Sequence, residues 1–178
     1  MRILVAYYSR SGITRGVAEA LAARLDADLA PIEETSQRQG IRGYLRSALE
    51  ARRGVMPELL PERHDPLRYD LVVIGTPVWF GHVSSPVRSY LHAHRGAIRQ
   101  AAFFCTLGGR GAERAFDDMR DALGLEPVHC EAFLDHDIAG ETHYAALERF
   151  AGFLRAAAMI APPARRPESP DVRTPRHP

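Results

Sequence analysis

Short apolar runs alternate along this chain with segments whose apolar residues recur at helical spacing, and this alternation restricts the fold more than any other feature. The apolar runs, which predict strands, are residues 3–8, 29–32, 69–75, 101–107 and 127–134. The segments that predict helices are residues 13–25, 40–53, 86–94, 113–123 and 142–159. Because a parallel connection needs the length of a helix to return, repeated β-α units build a parallel sheet with helices on both faces. The sequence therefore predicts an α/β fold, doubly wound around a five-stranded parallel sheet.

Two features place strands within this sheet and set the domain boundary. Residues 69–75 form an unbroken, β-branched run, which is typical of a strand buried on both faces. Pro31 lacks the N–H that a central ladder needs, so its run is predicted to be an edge strand. The chain of 178 residues, 46% of them hydrophobic, suffices for one core. We expect one domain over residues 1–160 and, because residues 161–178 hold six prolines and four arginines, a disordered tail.

Composition excludes several classes of function. All 23 basic residues are arginine, so enzymes that depend on a lysine amine, such as P-loop NTPases and Schiff-base enzymes, do not fit. A net charge of +1 gives no overall field for nucleic acid or an anionic membrane. Cys105 and Cys130 lie in apolar runs, which predicts reduced, buried thiols without a disulfide. With no apparent signal peptide or spanning segment, the sequence favours a cytoplasmic protein.

The turn after the first predicted strand has the composition of an anion site. In open α/β sheets, ligands bind beyond the carboxyl ends of the strands, where the strand order reverses. Ser9, Ser11 and Thr14 offer hydroxyl groups there, and Gly12 permits a tight turn into a helix whose N-terminus favours an anion. The turn lacks the G-x-G-x-x-G motif, which approaches a pyrophosphate with bare backbone, and it lacks the lysine of a Walker loop. Its hydroxyl groups therefore favour a terminal phosphate monoester. The alternative is a serine-rich helix cap without a ligand.

Two further turns at the same predicted edge of the sheet suit a flat ligand. After the third strand come Thr76, Pro77, Val78, Trp79, Phe80 and Gly81. We expect the aromatic pair to be exposed and to stack on a heteroaromatic ring, the alternative being that Trp79 packs on a neighbouring helix. After the fourth strand come Gly108, Gly109, Arg110 and Gly111. These glycines allow the main chain to lie against a ligand, or they form a plain flexible turn.

The segments YYSRSGITRGVAEAL, YDLVVIGTPVWFGHVSSPVRSYL and TLGGRGAE resemble the flavodoxin family, and the likeness extends over roughly residues 1–160. Flavodoxins themselves follow the rule on strand ends used above. The resemblance implies strand order 2-1-3-4-5 and FMN as cofactor. It further implies that Ser9, Ser11, Gly12, Ile13 and Thr14 hold the phosphate, that residues 76–81 line the ring and that residues 108–111 close its other side. Arg10 either strengthens phosphate binding or points to solvent.

The function this suggests is an FMN-dependent oxidoreductase in which the flavin supplies the chemistry, so no catalytic side chain is predicted. The near-neutral charge favours an enzyme that takes electrons from NAD(P)H and passes them to a quinone or similar acceptor. The alternatives are an electron shuttle served by a partner redox protein and a flavin-free interaction module. His92 with His94, and Asp135-His136-Asp137, lack the spacing of metal ligands, so no metal site is predicted.

Overall fold

The structure is a computed structural model that describes residues 2–35 and 56–160. The predicted helix over residues 40–53 and the predicted tail over residues 161–178 lie outside the described residues. In chain order the elements are β1 (Ile3–Tyr7), α1 (Ile13–Leu25), β2 (Asp28–Pro31), β3 (Leu71–Trp79), β4 (His82–Val83), α2 (Ser85–Ala93), β5 (Ala101–Leu107), α3 (Ala112–Leu123), β6 (Cys130–Leu134), α4 (Asp135–Ala139) and α5 (Tyr144–Ile160). A short 3₁₀ helix, Pro66–Arg68, leads into β3.

The main sheet has the strand order β2-β1-β3-β5-β6, and all of these neighbours pair in parallel. The two-residue β4 lies off this path and pairs antiparallel with the end of β3. The predicted order of the five parallel strands is therefore confirmed. The edge position predicted for the strand with Pro31 is confirmed as well, because among the described residues β2 pairs only with β1.

Two apolar layers hold helices on opposite faces of the sheet. Consecutive residues of a strand enter different layers, as Leu4 and Val5 of β1 do. One layer joins the sheet to α1 and α5, and the other joins it to α2 and α3. Strands buried on both faces explain why their sequences are continuous apolar runs.

β3 is longer than predicted. The sequence placed a strand-to-helix turn after Gly75, whereas the strand continues through Pro77 to Trp79 and turns back as a hairpin with β4. The N–H of Val72 donates to the carbonyl of Gln100, just before β5, and the carbonyl of Gly75 accepts from the N–H of Tyr8, just after β1. Because every second residue of a strand faces the same neighbour, the backbone groups of residue 77 face the side of β1, as those of Gly75 do. Since β1 pairs with β3 no further than Gly75, the missing N–H of Pro77 costs no ladder hydrogen bond.

Smaller differences lie near the C-terminus of the described chain. The last predicted strand begins at Cys130 rather than at residue 127, and the last helix begins at Tyr144 rather than at residue 142. The short helix α4 was not predicted; its first turn carries Asp135 and Asp137, which suit the positive end of a helix. Within the described residues, no helix is long and apolar enough to cross a membrane.

Candidate functional site

Turn 1, residues 9–14, joins β1 to α1 in a conformation that depends on Gly12. This glycine caps α1 with φ of 95°, a left-handed value that side chains disfavour. Its N–H donates to Ser9 Oγ over 3.1 Å, so Ser9 shapes the turn from within. Among the described residues, apart from the chain neighbours of Gly12, no atom lies within 4 Å of the place where a Cβ on this glycine would stand. The first N–H groups of α1 therefore border an open cradle, and helix geometry leaves those groups without partners inside the helix.

Thr14 connects turn 1 to the end of β5. Its Oγ1 lies 2.8 Å from Oγ1 of Thr106, and the two residues are only 2% and 3% exposed. A buried bond between hydroxyl groups fixes the distance between the start of α1 and the end of β5, although the central strand β3 separates β1 from β5. Thr106 begins the segment TLGGRGAE but was not predicted as a binding residue; its place near the end of β5 was the available signal.

Turn 2, residues 76–81, contains the aromatic pair and departs from the expectation for one member. Trp79 is 7% exposed and belongs to the core, where its ring meets Tyr8 edge-on with 5.6 Å between centroids. The expectation of an exposed pair is therefore wrong for Trp79. This residue is the last of β3, and it packs in the apolar layer between the sheet and helices α2 and α3. Phe80 at the tip of the hairpin is 61% exposed, and it is the aromatic side chain that the hairpin presents to solvent.

Turn 3, residues 108–111, lies directly against turn 2. A Cβ built on Gly111 would stand 2.5 Å from the Cα of Gly81, so the two backbones touch and Gly111 has no room for a side chain. Both glycines have positive φ, 104° for Gly111 and 80° for Gly81. The structure thus brings turns 2 and 3 into contact, while Thr14 and Thr106 join turn 1 to the strand that leads into turn 3.

Asp118 of α3 ties the hairpin to the helices, and the sequence offered no signal for it. Its Oδ2 lies 2.9 Å from Nδ1 of His82 and accepts hydrogen bonds from the N–H of Val83 and from Nη2 of Arg88. These three partners come from β4 and α2, so one carboxylate oxygen holds both to α3. A half-buried charge with several donors fixes geometry more firmly than an exposed ion pair does.

The charges around the site have both signs. Arg10 and Arg110 are exposed in turns 1 and 3, which places positive charge at the rim. Asp135, another residue absent from the predicted set, has a carboxylate oxygen 3.7 Å from the place of a Cβ on Gly108.

Burial raises the pKa of Cys105 on β5 to about 12, so its thiol stays protonated at neutral pH. Both cysteines are free, as predicted, although Cys130 is only half-buried.

A cavity of about 780 Å³ lies at the other end of the strands, where β3 begins. Several polar groups in its lining are already paired: Tyr69 donates to Asp28 and lies 2.7 Å from His64, and His94 lies 2.8 Å from Glu62. The amino ends of parallel strands are also not where such sheets bind ligands. In the described parts of the chain, no group of three or more His, Cys, Asp or Glu residues could hold a metal ion.

A family model described as flavodoxin matches residues 2–144. That match spans most of the chain, and the chain belongs to the flavodoxin family. Among curated proteins none matches this chain.

Several solved structures share the fold. A flavoprotein from Lactobacillus acidophilus NCFM, solved in complex with FMN, is 26% identical with a TM-score of 0.67, covering 78% of this chain and 97% of that one. Oxidised Flavodoxin 1 from Bacillus cereus is 15% identical with a TM-score of 0.52, covering 87% and 98%. A flavodoxin, WrbA-like protein from Agrobacterium tumefaciens is 16% identical with a TM-score of 0.50, covering 88% and 98%. The last two similarities are similarities of fold.

Proposed function

We propose that this chain binds FMN at the carboxyl edge of its sheet and acts as a flavin-dependent oxidoreductase. The observation that carries the proposal is the convergence of three turns, through the contact of Gly81 with Gly111 and the bond between Thr14 and Thr106. The Lactobacillus acidophilus flavoprotein, 97% of which is covered in the comparison with this chain, was solved with FMN. The residues present also fit a phosphate, since hydroxyl groups and the N-terminus of α1 border an open cradle.

Within this proposal each turn has its own task. Turn 1, with Ser9, Arg10, Ser11, Gly12, Ile13 and Thr14, binds the phosphate. Turn 2, over residues 76–81, lines the ring and presents Phe80 to it, while Trp79 supports the hairpin from the core. Turn 3, over residues 108–111, closes the other side with its backbone. When bound, the ring of FMN supplies the capacity to take up and release electrons.

The finer proposal is that NAD(P)H is the electron donor and a quinone or similar acceptor takes the electrons. Two features support it. The chain is nearly neutral, with 23 basic and 22 acidic residues, and so lacks the field with which a strongly charged carrier would attract a partner protein. Arg10 and Arg110 place positive charge at the rim, where it would attract an anionic nicotinamide nucleotide. The free thiols suit a reducing compartment, and we propose a cytoplasmic location.

FMN binding is tested by titrating the purified protein with FMN and following flavin fluorescence and visible absorbance. Two glycines four residues apart provide a matched pair. Gly12→Ala places a side chain at φ of 95° and should weaken binding about tenfold or more, whereas Gly16→Ala meets nothing within 4 Å and should leave it unchanged. A wild-type protein that binds no FMN would refute the proposal and favour the flavin-free interaction module.

The enzymatic part is tested separately by steady-state oxidation of NAD(P)H with a quinone, using the FMN-loaded protein. The finer proposal predicts turnover that depends on both substrates and that falls when the added FMN is omitted from protein freed of flavin. A loaded protein that NAD(P)H cannot reduce, but that a reductase protein can, would contradict it. That result would assign the electron shuttle instead.

A further inference from the structure

Thr14 and Thr106 each carry a hydroxyl hydrogen, but the hydrogen bond between them uses only one of the two. Either hydroxyl can be the donor across the 2.8 Å between the two oxygens, and only one O–H fits there. The other hydroxyl keeps its hydrogen, and among the described residues neither side-chain oxygen makes another hydrogen bond. Because the residues are 2% and 3% exposed, that O–H is nearly cut off from water. A buried donor without an acceptor is costly, so the site calls for an acceptor from a ligand.

The surroundings decide which threonine keeps the spare hydrogen. Thr14 is the second residue of α1, next to the first N–H groups of that helix and to the open cradle over Gly12. An anion drawn to those groups would also draw the O–H of Thr14. Thr106 then has one direction left for its own hydrogen, toward the oxygen of Thr14. The expected order of donation runs from Thr106 to Thr14 and from Thr14 to the anion.

We propose that Thr106 is a positioning residue that aims the hydroxyl of Thr14 at a phosphate and thereby makes the site prefer FMN over riboflavin. The inference rests on the proposed function, since it assumes that a flavin occupies this edge of the sheet. It goes further by assigning a task to a residue of β5 that the predicted phosphate turn does not include. A chain of two hydroxyl groups also makes the phosphate site dependent on the strand that leads into turn 3.

The test compares the dissociation constants of FMN and riboflavin for Thr106→Val, which keeps the shape of the side chain and removes the hydroxyl. We expect FMN to bind about fivefold more weakly, the equivalent of one hydrogen bond, while the affinity for riboflavin stays the same. Thr106→Ser should restore FMN binding. Ser89→Ala is the control, because it removes another buried hydroxyl, whose partner is the carbonyl of Pro57 in the lining of the cavity where β3 begins.

A second comparison keeps the inference testable if Thr106→Val lowers stability. In a Thr14→Val background the donor to the phosphate is gone, so adding Thr106→Val should weaken FMN binding no further. Equal losses for FMN and riboflavin, or a full additional loss in the double variant, would overturn the inference while leaving FMN binding intact. An unchanged FMN affinity in Thr106→Val would overturn it too. A wild type that binds no FMN would remove the proposed function along with the inference.

Discussion

At Gly75 the sheet and the buried ring of Phe104 leave no room for a methyl group. A Cβ at this position would overlap the Cζ of Phe104, which is fully buried in the neighbouring strand. Gly75 also pairs with the last residue of β1, so its backbone cannot retreat without disturbing turn 1. The glycine is thus required by packing rather than by its backbone angles, which are not left-handed.

We predict that Gly75→Ala lowers the free energy of unfolding by about 3 kcal/mol, because a close-packed core accommodates an added methyl poorly. Chemical denaturation monitored by circular dichroism measures the change. Gly152→Ala is the matched control: this glycine lies in α5 with nothing within 4 Å, and alanine there should stabilise the helix by about 0.5–1 kcal/mol. Similar effects of the two substitutions would contradict the packing argument.

Phe80 combines exposure with an unfavourable backbone. Its φ is 52° and that of Gly81 is 80°, the signs found in a two-residue hairpin turn that usually carries Asn-Gly. A phenylalanine in the left-handed region costs about 1–2 kcal/mol, and 61% of it remains exposed. Strain and apolar exposure at one residue point to a function for its ring.

Phe80→Asn should therefore raise the free energy of unfolding by about 1 kcal/mol while weakening FMN binding roughly threefold to tenfold through loss of a ring contact. Thermal unfolding and flavin titration of the same sample provide both quantities. Phe153→Ala, which removes an equally exposed phenylalanine from α5, should leave FMN binding unchanged. Reduced stability with unaltered affinity would show that the ring supports the fold instead.

The start of β3 and the edge strand β2 are held together by a hydrogen bond to a carboxylate. Tyr69 donates to Asp28 Oδ2 over 2.8 Å, and this bond is the main reason that the pKa of Asp28 lies below its ordinary value. Burial and the same carboxylate raise the pKa of Tyr69 to about 12, so the phenol remains the donor at neutral pH. A lowered carboxyl pKa stabilises the fold above the ordinary pKa of about 4, and that stabilisation disappears as the pH falls through the folded-state value.

Tyr69→Phe should lower the free energy of unfolding by about 1 kcal/mol at pH 7, and the difference from wild type should shrink as the pH falls below about 4. Denaturant unfolding of both proteins between pH 3 and pH 7, values chosen to bracket the carboxyl titration, tests this. Arg15, whose ion pair with Glu19 is exposed, offers a comparison: Arg15→Gln should change stability little at either end of the range. A difference for Tyr69→Phe that is constant with pH would exclude Asp28 as the cause.

At the scale of elements, local patterns sufficed where local physics decides the structure. The five parallel strands and the helices α1, α2, α3 and α5 follow from periodicity, and the edge place of β2 follows from Pro31. The extension of β3 could not be predicted. The strand tolerates Pro77 because its pairing with β1 has already ended at Gly75. That is a relation between strands distant in sequence, and composition does not contain it.

At the scale of the molecule, the predicted parallel sheet and the rule on strand ends suffice to place the three turns at the carboxyl ends of the strands from the sequence alone. Contacts across the fold could not be predicted in the same way. Asp118 reaches His82 and Arg88 from another helix, and Thr106 reaches Thr14 across the central strand. Burial of Trp79 has the same origin, because its neighbour Tyr8 comes from another strand.

Amide NMR spectra recorded during an FMN titration are the most direct test of whether one flavin contacts all three turns at the carboxyl edge. We predict that FMN shifts the amide signals of Gly12, Gly81 and Gly111. The signals of Gly96 and Gly124, which follow the C-terminal ends of α2 and α3 at the opposite edge, should stay in place. Shifts confined to Gly96 and Gly124, or no shifts at saturating FMN, would contradict it.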